Sequence, residues 1–192
     1  NPNIPWSEKD DRVLGPTSVD RWSYSSSKAV CEHMLFALHR SSGLEFTTVR
    51  FFNVYGPGQN KNFVISKFIN AASKNQNLNV YGNGKQVRSF CHVFDATDGI
   101  IEIIKNGKFN TDYNIGNNSE PININKLAFI ISSIFKRKTK INNIPYKFSD
   151  RKEEREIKKR IPSIKKIQSD TNYKPEITLK EGIINLVKNK KL

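Results

Sequence analysis

The chain has 192 residues, 36% hydrophobic and 26% charged, a polar globular composition that excludes fibrous classes. No apolar run approaches the roughly 18 residues that span a bilayer, so no membrane partner is expected. The net charge is +14, with 21 basic and 11 acidic side chains from residue 97 onward. This excess lacks interleaved aromatic platforms or a DNA-reading motif, so it reads as a solvated basic surface that attracts phosphorylated metabolites, not nucleic acid.

Residues 1–20 are loop-like, with Pro2, Pro5, Gly15 and Pro16 among polar residues. They have neither the basic start nor the apolar core of a signal peptide, and the absence of an initiator Met places the expected N-terminus upstream. A helix is predicted over 23–41, where Val30, Met34, Leu35 and Leu38 recur at helical spacing and Gly43 ends the run. Residues 45–52 are β-branched and aromatic and predict a strand, broken by Gly56-Pro57-Gly58. A second helix is expected over 62–74, with Phe63, Ile65, Phe68, Ile69 and Ala72 on its buried side. A short strand over 78–81 leads into the turn Gly82-Asn83-Gly84, and another strand is expected over 87–93.

The stretch 95–105 reads as a well-buried helix carrying Ile100, Ile101, Ile103 and Ile104. A strand over 113–115 follows, then an apolar helix over 124–135 capped by Asn123 or Asn125. The remainder predicts a strand over 140–144, a charged loop over 150–160, and helices over 163–169 and 179–189. Helices and strands alternate, so the fold class is α/β. Cys31 and Cys91 form no Cys-x-x-Cys pair and sit among apolar residues. Both read as small core side chains in a reducing, cytoplasmic setting. No His/Cys/Asp cluster has metal-ligand spacing, so no metal is expected. His92 reads as a structural histidine, and His33 and His39 as ordinary helix-face residues.

The most informative residues are Tyr24-Ser25-Ser26-Ser27-Lys28. Four positions apart on a helix, Tyr24 and Lys28 share one face. A phenol is a poor base at neutral pH, and a nearby ammonium favours the phenolate. Such a pair can exchange a proton with a hydroxyl while hydride moves elsewhere.

Context makes the motif specific. Arg21 to Ala29 with Glu32 resembles the catalytic helix of NAD-dependent epimerases/dehydratases, which are extended short-chain dehydrogenases/reductases. The family's further motifs follow in order: Val49-Arg50-Phe51-Phe52-Asn53-Val54-Tyr55-Gly56-Pro57, Val80 to Phe90, His92-Val93-Phe94-Asp95, Tyr113-Asn114-Ile115-Gly116, Arg160 to Lys166, and Tyr173 to Ile183. The resemblance implies the C-terminal part of a Rossmann-like NAD-binding domain plus a small α/β substrate-binding lobe. Residues 1–58 would be the tail of the Rossmann domain and 59–192 mainly the nucleotide-sugar lobe, with 95–116 packing back on the Rossmann domain. It also implies NAD as cofactor, a nucleotide-diphosphate sugar as substrate and a homodimer formed through the Tyr24 helix.

By the same resemblance, Tyr24 is the acid/base and Lys28 its partner, and both bind the cofactor together with Phe51 at the nicotinamide end. Asn53 and Arg88 are expected on the sugar-nucleotide diphosphate, and Arg155 on the nucleotide's phosphate or ribose. The implied activity is transient oxidation of the sugar, usually at C4, with a 4-epimerase-like outcome favoured. A UDP-glucuronate decarboxylase and a dTDP-glucose 4,6-dehydratase are the close alternatives, and a non-catalytic nucleotide- or protein-binding relative is the alternative of another class. The sequence departs from the family in lacking the glycine-rich dinucleotide fingerprint; Gly82-x-Gly84 opens no βαβ unit. The family's Ser/Thr before the tyrosine also has no counterpart. By the size of βαβ units, roughly 100 or more residues are expected upstream, and the 192-residue chain alone is expected to expose apolar surface and to retain no NAD.

Overall fold

The computed structural model describes residues 4–135, 139–146 and 156–188, apart from the side chain of Arg21. The first helix, α1, spans Arg21–Ser42 and ends as expected at Gly43, whose φ of 71° lets its N–H reach the carbonyl of His39. The strand β1 (Thr47–Phe51) pairs in parallel with β6 (Thr111–Ile115), in register from Thr47 beside Thr111 to Phe51 beside Ile115. Side chains alternate across this pair. Val49, Tyr113 and Ile115 enter an apolar cluster, whereas Arg50 and Asp112 form an ion pair.

That cluster also holds residues of α3 (Val93–Asn106) and α5 (Lys165–Asp170). A second, larger cluster joins α2 (Val64–Ser73), β3 (Leu78–Tyr81), α4 (Ile124–Ile134) and α6 (Leu179–Lys188). Two short parallel strands, β2 (Val54–Tyr55) and β5 (Cys91–His92), run between the clusters. On β2, Val54 packs on the first cluster and Tyr55 on the second, as strand alternation requires. The strand β3 pairs in parallel with β8 (Ile141–Ile144). The remaining sheet places β4 (Val87–Arg88) between β7 (Ile122–Asn123) and β9 (Lys159–Arg160). Mixed helices and mainly parallel pairs match the expected α/β class.

Several expectations need correction. The single strand expected over 87–93 is divided into β4 and β5, and α3 begins at Val93 because the His92 side chain caps it by accepting the N–H of Phe94. Asn123, not Asn125, caps α4, accepting the N–H of Lys126 at 2.8 Å. The loop expected over 150–160 ends in β9, whose residues pair with β4; residues 150–155 lie outside the described residues. The helix expected from 163 starts at Lys165.

Burial also differs from expectation. Cys31 is exposed, while Cys91 is buried as expected. Of the described α1 side chains, only Ala29 is buried, and Val30, Met34 and Leu38 form an exposed apolar face. On α3, Ile103 is buried but Ile101 and Ile104 are exposed, and Phe63 before α2 is exposed too. Helical periodicity names the apolar positions but not which of them a neighbour covers.

The N-terminal segment packs beside β6 and the stretch that follows β9. Trp6 exchanges backbone hydrogen bonds with Ile161 and Ser163, and Glu8 accepts the N–H of Asn114 at 2.9 Å. Asp95, buried at the start of α3, accepts the N–H groups of Glu176 and Ile177 and so holds the segment that leads into α6.

Candidate functional site

The sequence places Tyr24 and Lys28 one turn apart, and the structure brings them together. Lys28 Nζ lies 5.6 Å from the centroid of the Tyr24 ring, within cation–π range. Tyr24 is 70% exposed, and Lys28 has no ion-pair partner among the described residues. Tyr24, Lys28, Glu32 and Phe36 follow at intervals of four and form one ridge along α1. The upper half of this ridge is open to solvent. The lower half is anchored: Phe36 packs edge-on against Phe46 at 4.9 Å, and Glu32 is gripped by Arg50.

Arg50 Nε and Nη2 donate to the two oxygens of Glu32 at 3.1 and 2.6 Å, a fork-to-carboxylate arrangement. Arg12 donates to the same carboxylate. The same Nη2 also meets Asp112 at 2.5 Å, Nη1 donates to the Glu8 carbonyl at 3.2 Å, and Lys166 of α5 reaches Asp112 at 3.3 Å. Burial works to raise the Glu32 carboxyl, but the hydrogen bonds and charges of Arg50 and Arg12 outweigh it and hold its pKa below the usual range. Burial likewise works to lower Arg50, and its carboxylate partners overcome that and raise it. This network lies outside the site residues that the sequence predicts. Its signals are an arginine inside the β-branched, aromatic strand β1 and a carboxylate one turn beyond Lys28.

Phe51 ends β1 at the carboxyl end of the parallel pair and is 53% exposed. Asn53 follows with a positive φ of 42°, a conformation asparagine tolerates better than most residues. Its Nδ2 donates to the carbonyl of Ser89 at 2.8 Å, which ties it to the end of β4 beside Arg88. Arg88 donates to the carbonyls of Val87 and Ile157 and, at 2.6 Å, to Glu156. Its guanidinium is therefore held within the sheet instead of lying on an open face. The β4–β9 ladder sets Arg160 directly beside Arg88, with the Arg160 guanidinium 5.6 Å above the Trp6 ring. Arg155 lies outside the described residues. Asn53 is thus tied to the residue that follows Arg88, and Tyr24 and Lys28 are brought together. No side-chain hydrogen bond joins Tyr24 or Lys28 to Asn53 among the described residues.

His92 is buried between Tyr55 and Phe94 and serves as the cap of α3. Burial lowers its pKa, with Asp95 acting in the opposite sense. Among the described residues no group of His, Cys, Asp and Glu is arranged to hold a metal ion, and no helix is long and apolar enough to cross a membrane.

Fold and site together define an α/β protein with a Tyr-x-x-x-Lys helix beside a parallel strand pair. The sequence profile of the NAD dependent epimerase/dehydratase family matches residues 2–116, and the chain belongs to that family. It is 34% identical over 182 residues to a UDP-N-acetyl-alpha-D-glucosaminuronate decarboxylase of Bacillus cytotoxicus, covering 93% of this chain and 56% of the relative. It is 32% identical over 172 residues to UDP-glucuronic acid decarboxylase 3 of Arabidopsis thaliana, covering 88% of this chain and 48% of the relative. Among solved structures, the UDP-N-acetylglucosamine 4-epimerase of Methanobrevibacter ruminantium, in complex with UDP-N-acetylmuramic acid, superposes with a TM-score of 0.82 at 28% identity. That match covers 98% of this chain and 57% of the epimerase. The chain spans about half the length of the relatives it matches.

Proposed function

We propose that this chain belongs to an NAD-dependent nucleotide-sugar epimerase that transiently oxidises its sugar at C4. The observation that carries this reading is the Tyr24–Lys28 pair: an exposed phenol with an ammonium over its ring that has no ion-pair partner among the described residues, in a chain of this family. The exposed pair and the exposed Phe51 at the carboxyl end of β1 fit the nicotinamide and ribose end of NAD, the edge at which α/β sheets bind ligands. NAD, when bound, takes up the hydride and returns it. Tyr24 accepts the proton of the sugar hydroxyl and gives it back, and Lys28 supplies the positive charge that favours the phenolate and donates to the ribose. Asn53 and Arg88 hold the diphosphate of the sugar nucleotide. Arg88 has to exchange Glu156 for the phosphate to do so, a swap of one anionic acceptor for another. Arg155 completes the nucleotide contacts.

In the domain division that goes with this reading, residues 1–58 belong to the cofactor-binding unit and 59–192 mainly to the sugar-nucleotide lobe, with 95–116 returning to the former. It is supported by the packing of α3 and β6 with β1 in one apolar cluster, separate from the cluster around α2, α4 and α6. The exposed Val30, Met34 and Leu38 on α1 suit a homodimer face. A cytoplasmic setting accords with the free thiols of Cys31 and Cys91.

Decarboxylation is the second reading, favoured by the names of the relatives at 32 and 34% identity. Both outcomes proceed from the same C4 oxidation. The test is incubation of the full-length protein with NAD and UDP-glucose, UDP-glucuronate or dTDP-glucose, with products followed by NMR. Inversion at C4 is the expected result. Release of carbon dioxide from UDP-glucuronate selects the second reading. If no nucleotide sugar is converted and none binds, a non-catalytic relative replaces both.

A further inference from the structure

The ridge on α1 sets two charges of opposite sign one turn apart: the Lys28 ammonium and the Glu32 carboxylate. At that spacing a lysine and a glutamate attract each other on a helix surface. The structure shows a different arrangement. The Glu32 carboxylate is turned to Arg50 and Arg12, and Lys28 lies over the Tyr24 ring. Arg50 is itself held by Asp112 of β6, at the same Nη2 that meets Glu32, and by the Glu8 carbonyl at Nη1, and Lys166 of α5 backs Asp112. The two arginines therefore occupy the one acid within a turn of Lys28 on this ridge.

We propose that Arg50, assisted by Arg12, is a positioning residue for the Tyr24–Lys28 pair: by holding Glu32, it leaves the Lys28 ammonium to the phenol. A bidentate guanidinium–carboxylate pair with half-buried partners outcompetes an exposed lysine for the same carboxylate. Loss of the fork lets Glu32 turn toward Lys28 and draw the ammonium away from Tyr24. The same contact fixes the rotation of α1, whose packing on the rest of the described chain buries only Ala29. This inference rests on the reading of Tyr24 and Lys28 as a proton-transfer pair.

The test is the titration midpoint of the Tyr24 ring, followed by NMR with labelled tyrosine in the full-length protein, in Arg50→Gln, Glu32→Gln and the double variant. Arg50→Gln is expected to move the midpoint to higher pH by several tenths of a unit. Glu32→Gln, which leaves nothing to capture Lys28, is expected not to raise it. The double variant is expected to return toward the unsubstituted protein, a rescue that a purely structural role for Arg50 does not provide. If Arg50→Gln fails to fold, Arg50→Lys keeps the charge beside Asp112 and is expected to give a smaller shift in the same direction. A double variant as displaced as Arg50→Gln, or no displacement in either Arg50 variant, overturns the proposal. Lys28→Met separates the two readings. If it moves the midpoint and the Arg50 variants do not, only the positioning role falls; if it leaves the midpoint unmoved, the proton-transfer pair falls with it.

Discussion

The Nδ1 atom of His92 accepts the backbone N–H of Phe94 at 3.3 Å and closes the first turn of α3. Only a neutral imidazole can accept in this way, and burial holds the His92 pKa below its usual value despite the opposing pull of Asp95. A depressed folded-state pKa contributes stability that is present above the unfolded value, near 6.5, and is lost as pH falls through the folded one. Thermal melts between pH 7.5 and 5 are expected to show a fall in Tm that is reduced in His92→Asn. Asparagine keeps a capping acceptor without a titrating ring. An equal fall in both proteins assigns the acid sensitivity to other groups.

Asp95 receives the N–H groups of Glu176 and Ile177 at 3.1 and 3.2 Å. Asp95→Ala leaves these amides without that acceptor, at a cost of about 1–3 kcal/mol for each donor that stays buried. Burial is the main influence on Asp95 and raises its carboxyl pKa, against the two amides that favour the charged form. Urea denaturation is expected to report the lost stability. Amide exchange at residues 176 and 177 is expected to accelerate more than at α2, since the loss is local to the segment that Asp95 ties down.

Gly182 lies against the Tyr55 ring, where an added Cβ would stand 2.1 Å from the phenolic oxygen. Tyr55 is buried, and its hydroxyl donates to the Leu179 carbonyl at 3.4 Å, so neither side can yield freely. Gly182→Ala is expected to destabilise by about 1–3 kcal/mol, although alanine is the better helix former. An unchanged urea midpoint would show that α6 can slide on the core.

Tyr24 makes little contact with the rest of the described chain and is mostly exposed. Tyr24→Phe is therefore expected to leave stability within about 0.5 kcal/mol. Turnover of nucleotide sugar by the full-length protein is expected to fall by about 100-fold or more, the range of a lost acid/base group. Retained turnover removes Tyr24 from the proton transfer.

The α1 face of Val30, Met34 and Leu38 is the expected dimer surface. Met34→Lys places a charge at its centre, and light scattering is expected to report a monomer where the unsubstituted protein is a dimer. A monomer in both cases assigns that face to another covering segment.

The local elements were legible in the sequence because short-range physics sets them. Gly43 stops α1 with a left-handed residue, four-residue spacing puts Tyr24 and Lys28 on one face, and alternation turns Val49 and Arg50 to opposite sides of β1. Burial was less legible. Met34 and Ile104 carry the same apolar signal as Ile69, yet only Ile69 meets a packed neighbour. The splitting of the strand expected over 87–93 depended on His92 capping α3, which the residue types alone did not announce.

At the site, the sequence by itself determined the Tyr24–Lys28 spacing and the order of the family's motifs, since both are properties of the chain read in one dimension. Only the tertiary structure decided that Arg50 reaches across 18 positions to Glu32, that Asn53 is tied to Ser89, and that Arg88 comes to stand beside Arg160. Those pairings come from strand register and sheet order, which depend on how distant segments pack, not on the residues at either end.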